Sequence, residues 1–430
     1  MSDNENEIDY VPPPVESIAA IDQAVRGSSF SGYSYVAEPA AGWDTDGIWV
    51  SFATAFRSGY SVHSMAAAYG LSEGCAIPTQ LVPHRHVDID PSLFPDDRRT
   101  LYDKWHEGKI GRAHLLVAGY PPIEAAYLRG IAANMICYTA HEATRVSQFV
   151  VNTCNENFEE IWVVSDFCRR AFLDSGVRPE LVRTVSPMLY GGPWKQTLTD
   201  PAKHTGAYRF GTQGTWHSRK GMLDLVRSYY RAFSASDDVV LEIRTSQMGG
   251  RLLTVKEMLA KIGEEIRQEK SKFDKVLPKI VVNVGTESTD QQVLDWFHTL
   301  DCYVNPSYGE GLGIPPLWAA MAGIPVVTST FGAVGEYFVA RGSLFDRFVP
   351  HRLERVDPSM PSLSRSYDFD QEWGMYDIAD FGSAMRSAFE AGRQFDLAGA
   401  VAVCSRFSLD QMIVAMRPAL AKYLPEKMRG

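Results

Sequence analysis

Several residues in this sequence have the chemistry and spacing to hold an anionic ligand. Gly309-Glu310-Gly311-Leu312-Gly313 follows the apolar run Cys302-Tyr303-Val304, and Pro315-Pro316 opens a helix just beyond it. Proline suits a first helical turn, where its missing N–H costs nothing. Glycines let the backbone approach a ligand closely, and a helix start presents free N–H groups and a positive dipole end. Strand, glycine loop and helix together predict an anion cradle at the carboxyl end of a parallel strand. On the glycines alone, a tight turn without any ligand would be the better explanation of the pattern. Glu310 changes that balance, because a carboxylate inside the cradle is odd for a bare phosphate site. It predicts a neutral hydroxylated group beside the anion, as in a sugar diphosphate.

A second candidate is Arg219-Lys220-Gly221, placed before the helical stripe Met222, Val226, Tyr229, Tyr230 and Phe233. A basic pair set before a strongly amphipathic helix marks Lys220 out from an isolated solvated base. His141 follows the apolar run Met135–Thr139, with Glu142 and Arg145 close behind as a possible loop-shaping ion pair. Metal chemistry is poorly supported. Asp-x-Asp occurs at Asp44–Asp46, Asp88–Asp90 and Asp368–Asp370, none after a clear buried strand in a nucleotide-binding half, and His84-x-His86 lacks an evident third ligand. The glycine-rich lysine loop of ATP sites and the Gly-x-Ser-x-Gly of serine hydrolases are both missing.

The elements that must position these residues alternate. Strands are expected at Gly47–Phe52, Leu115–Val117, Met135–Thr139 and Ile161–Val164, with helices at Ser64–Tyr69, Pro122–Arg129 and Asp166–Asp174. Beyond the polar stretch Trp194–Gly206, expected to be a linker, strands Val239–Ile243, Ile280–Val282, Cys302–Val304 and Ile324–Val327 alternate with helices at Leu252–Lys270, Val293–Leu300 and Pro315–Ala322. Nearly continuous apolar strands between helices predict α/β units whose parallel sheets are covered on both faces. A last stripe, Leu409, Met412, Ile413, Met416 and Leu420, is interrupted by Pro418 and should kink.

Composition narrows the function classes. The 430 residues are 45% hydrophobic and 22% charged, an ordinary globular balance that at this length predicts two or three domains. The net charge of -10 is concentrated in residues 1–46, which hold nine acidic residues and one base, Arg26. A nearly neutral body without a Lys/Arg run offers no electrostatic footprint for nucleic acid or acidic lipid. No apolar run reaches the roughly 18 residues of a membrane span, and the acidic start is unlike a signal or transit peptide. A cytoplasmic location is therefore expected. The six cysteines show no C-x-x-C spacing, which predicts reduced thiols in place of zinc or a disulfide framework.

The run Glu310-Gly311-Leu312-Gly313-Ile314-Pro315, with Ala322-Gly323-Ile324-Pro325-Val326 after it, resembles the nucleotide-sugar site of retaining glycosyltransferases of family 4 (group 1). Tyr208–Phe233 is similar to that family's first strand and helix of the donor domain, and Tyr138–Val177 to its cleft-facing stretch in the first domain. The resemblance implies the GT-B fold, two facing Rossmann-like doubly wound domains. Here that gives an acidic arm at 1–45, an acceptor domain at 46–193, a linker at 194–206 and a donor domain at 207–407, with the helix 408–430 crossing back to the first domain.

The same resemblance implies transfer of a sugar from a nucleotide diphosphate sugar, UDP- or GDP-linked, to an unidentified acceptor, with retention and without metal or other cofactor. His141, Lys220 and Glu310 would be the catalytic residues. Gly59, in the first loop of the acceptor domain, and Arg219, Lys220, Glu310, Gly311, Leu312, Gly313, Ile314 and Trp318 would hold the donor. Two positions depart from the family: Trp318 stands where a second Glu is usual, and Thr215 where Arg often follows the loop glycine. Trp318 either stacks on the nucleotide or simply packs. Glu336, in a loop the family shares, could cap a helix or touch the donor. Trp49, Tyr60, Tyr102 and Trp105 are aromatic candidates for an acceptor surface. A non-catalytic nucleotide- or sugar-binding relative and a sugar transferase acting on DNA bases are the alternatives.

Overall fold

The computed structural model describes residues 48–52, 59–83, 113–118, 121, 134–191, 194, 205–216, 218–245, 255–269, 276–284, 290–356, 367, 370–421 and 423. The arm at 1–45, the helix expected at Pro122–Arg129, His84, His86, Tyr102, Trp105 and the Asp-x-Asp runs apart from Asp370 lie outside these residues.

The first unit is built from β1 (Ile48–Phe52), α1 (Gly59–Tyr69), β2 (Thr79–Pro83), β3 (Ala113–Ala118), β4 (Met135–Thr139), α2 (Gln148–Asn157), β5 (Glu160–Val163), α3 (Asp166–Ser175) and β6 (Val182–Thr184). Its six strands are parallel in the order β2-β1-β3-β4-β5-β6. Every residue of β4 and β5 is buried, as expected when helices cover both faces of a sheet. At its centre Tyr138 donates its hydroxyl to the Val185 carbonyl at 2.7 Å and meets the Trp162 ring edge-on at 5.7 Å.

The second unit runs through β7 (Tyr208–Gln213), α4 (Met222–Ala232), β8 (Val239–Thr245), α5 (Val255–Glu269), β9 (Lys279–Val284), α6 (Asp290–Phe297), β10 (Cys302–Asn305), α7 (Ile314–Met321), β11 (Val326–Ser329), α8 (Gly332–Arg341) and β12 (Arg347–Val349). An antiparallel pair, β13 (His351–Arg355) and β14 (Glu372–Tyr376), follows, and then α9 (Ile378–Glu390), α10 (Leu397–Arg406) and α11 (Leu409–Leu420). The main sheet is again parallel, in the order β12-β11-β10-β7-β8-β9. Strand order reverses between β7 and β10. That is the switch point at which doubly wound sheets open a crevice for a ligand.

Local chemistry fixes the helix starts. Ser147, Ser165, Asp377, Asp396 and Ser408 each accept a backbone N–H at the start of a helix, a contribution of about 1 kcal/mol apiece. In α11, Pro418 falls in the last turn and the helix runs on to Leu420. The carbonyl four residues earlier, deprived of a donor by Pro418, belongs to the exposed Val414 and can turn to water.

That last helix packs on the first unit, where Ile413 and Met416 lie beside Gly74 and Gly70. The chain therefore crosses between units twice, and the two crossings touch. The amides of Leu189 and Tyr190 both donate to the Phe407 carbonyl, at 2.9 and 3.2 Å, and Tyr190 pairs with Ser408 in a parallel bridge.

Three sequence expectations are corrected. Trp194, assigned to a polar linker, is 1% exposed and closes a bridge with Gly191, because its indole finds an apolar site where the first unit ends. Residues 332–336, assigned to a loop by the family resemblance, form the first turn of α8. The segment at Gly59, read as a loop, already belongs to α1. All six cysteines are free thiols, five of them buried.

His63 in α1 is 3% exposed, with its ring 3.7 Å from that of Tyr138. Burial pushes its pKa from 6.5 down to about 3. A depressed pKa gives stability that is present above pH 6.5 and lost as pH falls toward 3, at up to about 1.4 kcal/mol per pH unit. Urea denaturation of His63→Leu should therefore show a flatter loss of stability across that window than the wild type does.

Candidate functional site

The loop after β7 and the loop after β10 meet at the switch point. A short turn, Ser218–Lys220, ends the first and carries both cations. Residues 309–313 form the second and lead into α7, whose first turn holds Pro315 and Pro316. The two loops are stitched together by the Tyr308 amide donating to the Arg219 carbonyl at 2.8 Å and by the Arg219 guanidinium donating to the Gly309 carbonyl at 2.6 Å.

Across the cleft lies the loop that follows β4. Gly309 and Gly311 bring the two units into backbone contact. A methyl group on Gly309 would stand 2.0 Å from the Glu142 carbonyl oxygen, and one on Gly311 would stand 2.7 Å from that of His141. No side chain fits at either place. Ser165, which caps α3, donates its hydroxyl to the Gly311 carbonyl at 2.6 Å, and the Cys168 thiol lies 3.2 Å from the His141 carbonyl.

Four charged groups form one chain through this contact. Glu142 of the first unit pairs with Arg219 at 3.2 Å, Arg219 lies 3.5 Å from Glu310, and Lys220 meets Glu310 at 2.5 Å. All four are largely buried. Burial raises the carboxyl pKa of Glu310, but Lys220 and Arg219 outweigh it and the net value is lowered. Glu142 behaves likewise, with Arg219 as the dominant opposing charge. The stabilisation from both carboxylates is therefore present above pH 4.5, their ordinary value, and is lost as pH falls. For Lys220 burial prevails over Glu310, and the ammonium pKa drops. Burial also opposes the Arg219 charge, yet Glu142 and Glu310 hold that guanidinium above its usual value.

His141 is 8% exposed, and its Nε2 lies 2.5 Å from the Arg145 carbonyl. A carbonyl can only accept, so Nε2 carries the proton. Burial, opposed mainly by Glu142, lowers its pKa and keeps the ring neutral. Gly59 faces the start of α7, where a methyl group on it would be 3.5 Å from the Ile314 side chain. The structure thus brings Gly59, His141, Arg219, Lys220 and residues 309–314 to one crevice.

Trp318 points elsewhere. It is 4% exposed, and its indole N–H donates to the Leu189 carbonyl at 3.3 Å, beside the crossing between units. Glu142 partners Arg219 across the cleft, and Glu336 pairs with Arg170 of α3, joining the two units at the rim. Burial raises the Glu336 pKa despite that arginine. Among the aromatic acceptor candidates, Tyr60 is partly buried against the core.

The hairpin supplies residues that the sequence did not reveal. The Tyr367 hydroxyl donates to Glu142 at 2.8 Å, and its ring lies 5.6 Å from that of His141. Gln371 hydrogen-bonds His141, while Glu372 exchanges backbone and side-chain hydrogen bonds with Thr144. The alternation in Gln371-Glu372-Trp373-Gly374-Met375-Tyr376 is a strand signal that could have found this element. Among the described residues no group of three His, Cys, Asp or Glu side chains is placed to hold a metal. No described helix is long and apolar enough to cross a membrane.

Two facing α/β units with parallel sheets, the second with a crevice at its switch point, make up the GT-B fold. Residues 209–348, about a third of the chain and all within the second unit, match a family described as glycosyl transferases group 1. No curated protein sequence matches the chain.

Solved structures extend the likeness to both units. Anabaena HepE in complex with UDP and glucose is 11% identical at a TM-score of 0.56, over 87% of this chain and 99% of its own. The lipopolysaccharide outer core galactosyltransferase WaaB in its apo form gives 11% and 0.55 over 88% and 99%. The N-terminal domain of Candida albicans trehalose-6-phosphate phosphatase gives 11% and 0.55 over 89% and 99%. At such identity these likenesses concern the fold.

Gly309→Ala tests the backbone contact. Relieving the clash requires the units to part, so the melting temperature should drop by the equivalent of about 1–3 kcal/mol, the scale of overpacking. Calorimetry of the variant checks this, and an unchanged transition would contradict it.

Proposed function

We propose that the chain is a glycosyltransferase that moves a sugar from a nucleotide diphosphate sugar to an acceptor, retaining the anomeric configuration. The observation that carries this proposal is the juxtaposition of Arg219 and Lys220 with Glu310 at the switch point, where the glycine loop leads into the N-terminus of α7. Cations and free helix amides suit a diphosphate, while a carboxylate suits sugar hydroxyls. HepE, similar in fold, was solved with UDP and with UDP-glucose, which favours a uridine nucleotide over the GDP alternative.

In this scheme Lys220 and Arg219 exchange part of their pairing with Glu310 and Glu142 for the donor phosphates. They then stabilise charge that grows on the leaving diphosphate, so the scheme needs no metal. Glu310, released from Lys220, accepts hydrogen bonds from the sugar. Leu312, Gly313 and Ile314 line the approach from the helix side, and Gly59 leaves room for the phosphates. His141, protonated on Nε2 and bonded within its own loop, holds the loop that faces the sugar. No side chain is assigned as a nucleophile; the leaving phosphate assists the acceptor hydroxyl on the same face of the sugar. Trp318 is assigned to packing.

Thermal stability against UDP, GDP, ADP, CDP and dTDP, with and without magnesium, is the first test. A ligand at 100 times its dissociation constant adds about 2.7 kcal/mol, enough to raise melting by several degrees. One selective, magnesium-independent shift is expected, with UDP the leading candidate. Lys220→Ala and Glu310→Ala should remove donor hydrolysis or transfer by more than tenfold, and NMR of the product should show the donor's anomeric configuration. No shift with any nucleotide would move the non-catalytic alternative ahead, and an inverted product would end the retaining scheme.

A further inference from the structure

The antiparallel pair β13–β14 stands apart from both main sheets. Among the described residues β13 pairs only with β14, from His351↔Tyr376 to Arg355↔Glu372. All five β13 side chains are exposed, on both faces of the ribbon, including Leu353 at 48%. A strand with one open edge offers unpaired backbone N–H and C=O groups to another strand, and proteins ordinarily blunt such edges. Charges of a single sign do this well, because a second copy is repelled.

The sequence His351-Arg352-Leu353-Glu354-Arg355 does the opposite. If a second copy of β13 is laid antiparallel on the open edge, with a two-fold axis at Leu353, Arg352 stands opposite Glu354 of the second copy. Glu354 stands opposite the second Arg352, and Leu353 meets its own equivalent. Residues facing one another across an antiparallel pair share a face of the sheet. Both ion pairs therefore form on one side and the leucines meet on the other. A pivot at Arg352 or at Glu354 would instead oppose like charges, so one register is selected. In the single chain Arg352 and Glu354 pair with each other at 2.6 Å while remaining 60% and 46% exposed, leaving both free to exchange partners.

We propose that β13 is a self-complementary docking edge. Through it two copies of this chain join isologously into a four-stranded antiparallel sheet, β14-β13 of one copy against β13-β14 of the other. The occupant is a second copy because the charge order fits itself. Contact between two five-residue strands is small, and interfaces below about 1,200 Å² are weak and transient. The dimer should therefore form at high micromolar concentration and dissociate on dilution. The joined hairpin also touches the site, since Gly374 donates to the Tyr308 carbonyl at 2.9 Å and Glu372 bonds Thr144 of the first unit.

Sedimentation velocity on the full chain over a concentration series tests this. The apparent mass should climb from 47.8 kDa toward twice that value. Arg352→Glu and Glu354→Arg should each weaken association at least about tenfold, because each opposes like charges across the edge. An equimolar mixture of the two variants should dimerise again, as should the double variant carrying both reversals. The substituted side chains are exposed, so folding is expected to survive, and circular dichroism verifies it. A wild type that stays monomeric throughout, or an association untouched by both single reversals, would overturn the proposal.

Discussion

The site exists because two backbones touch. Gly309 and Gly311 lie against the carbonyls of Glu142 and His141 with no room for even one methyl group, and the charged chain Glu142–Arg219–Glu310–Lys220 runs through that contact. Were the contact wider, Arg219 could not reach a carboxylate in each unit. Were it absent, Lys220 would keep Glu310 while Glu142 faced a void. Each carboxylate offsets a cation whose burial would otherwise be costly, so the cationic charge of the pocket is neutralised from within. A diphosphate carries more negative charge than either carboxylate and can compete for the same donors.

The hairpin β13–β14 gives this arrangement a second support. It grows from the second unit yet contacts the loop of the first, through Glu372 on Thr144 and through Tyr367 on Glu142. Glu142 thus receives one hydrogen bond and one cation, both from the other unit. Its orientation depends on the closed arrangement and not on its own loop alone.

Much of the frame was legible in the sequence, for physical reasons that also mark where legibility stops. Met135–Thr139 and Cys302–Val304 read as strands because a parallel strand buried on both faces needs a continuous apolar run. Short strands at sheet edges, such as β6 and β12, lack such a run and went unseen. Helix α2 was hidden by its polar composition, and α8 by a resemblance that assigned its first turn to a loop. Lys220 and Glu310 could be picked out because each belongs to a local strand–loop–helix signature. The pairing of Glu142 with Arg219 joins residues far apart in the chain, and no local pattern encodes it. The side chain of Trp318 was left open between ligand and core, and only the fold shows it turned toward Leu189.

That turn links the pocket to the crossing between units. Leu189 and Tyr190, on the outgoing chain, are hydrogen-bonded to Phe407 on the returning one. At these residues the two crossings are paired backbone to backbone, unlike a pair of separate tethers. Such a pairing bends readily across its width and resists twist and slide. An opening of the cleft would therefore turn about the place where these backbones pair. Because the Trp318 indole donates to a carbonyl of that same pairing, α7 and its glycine loop are anchored at the pivot, where displacement is smallest.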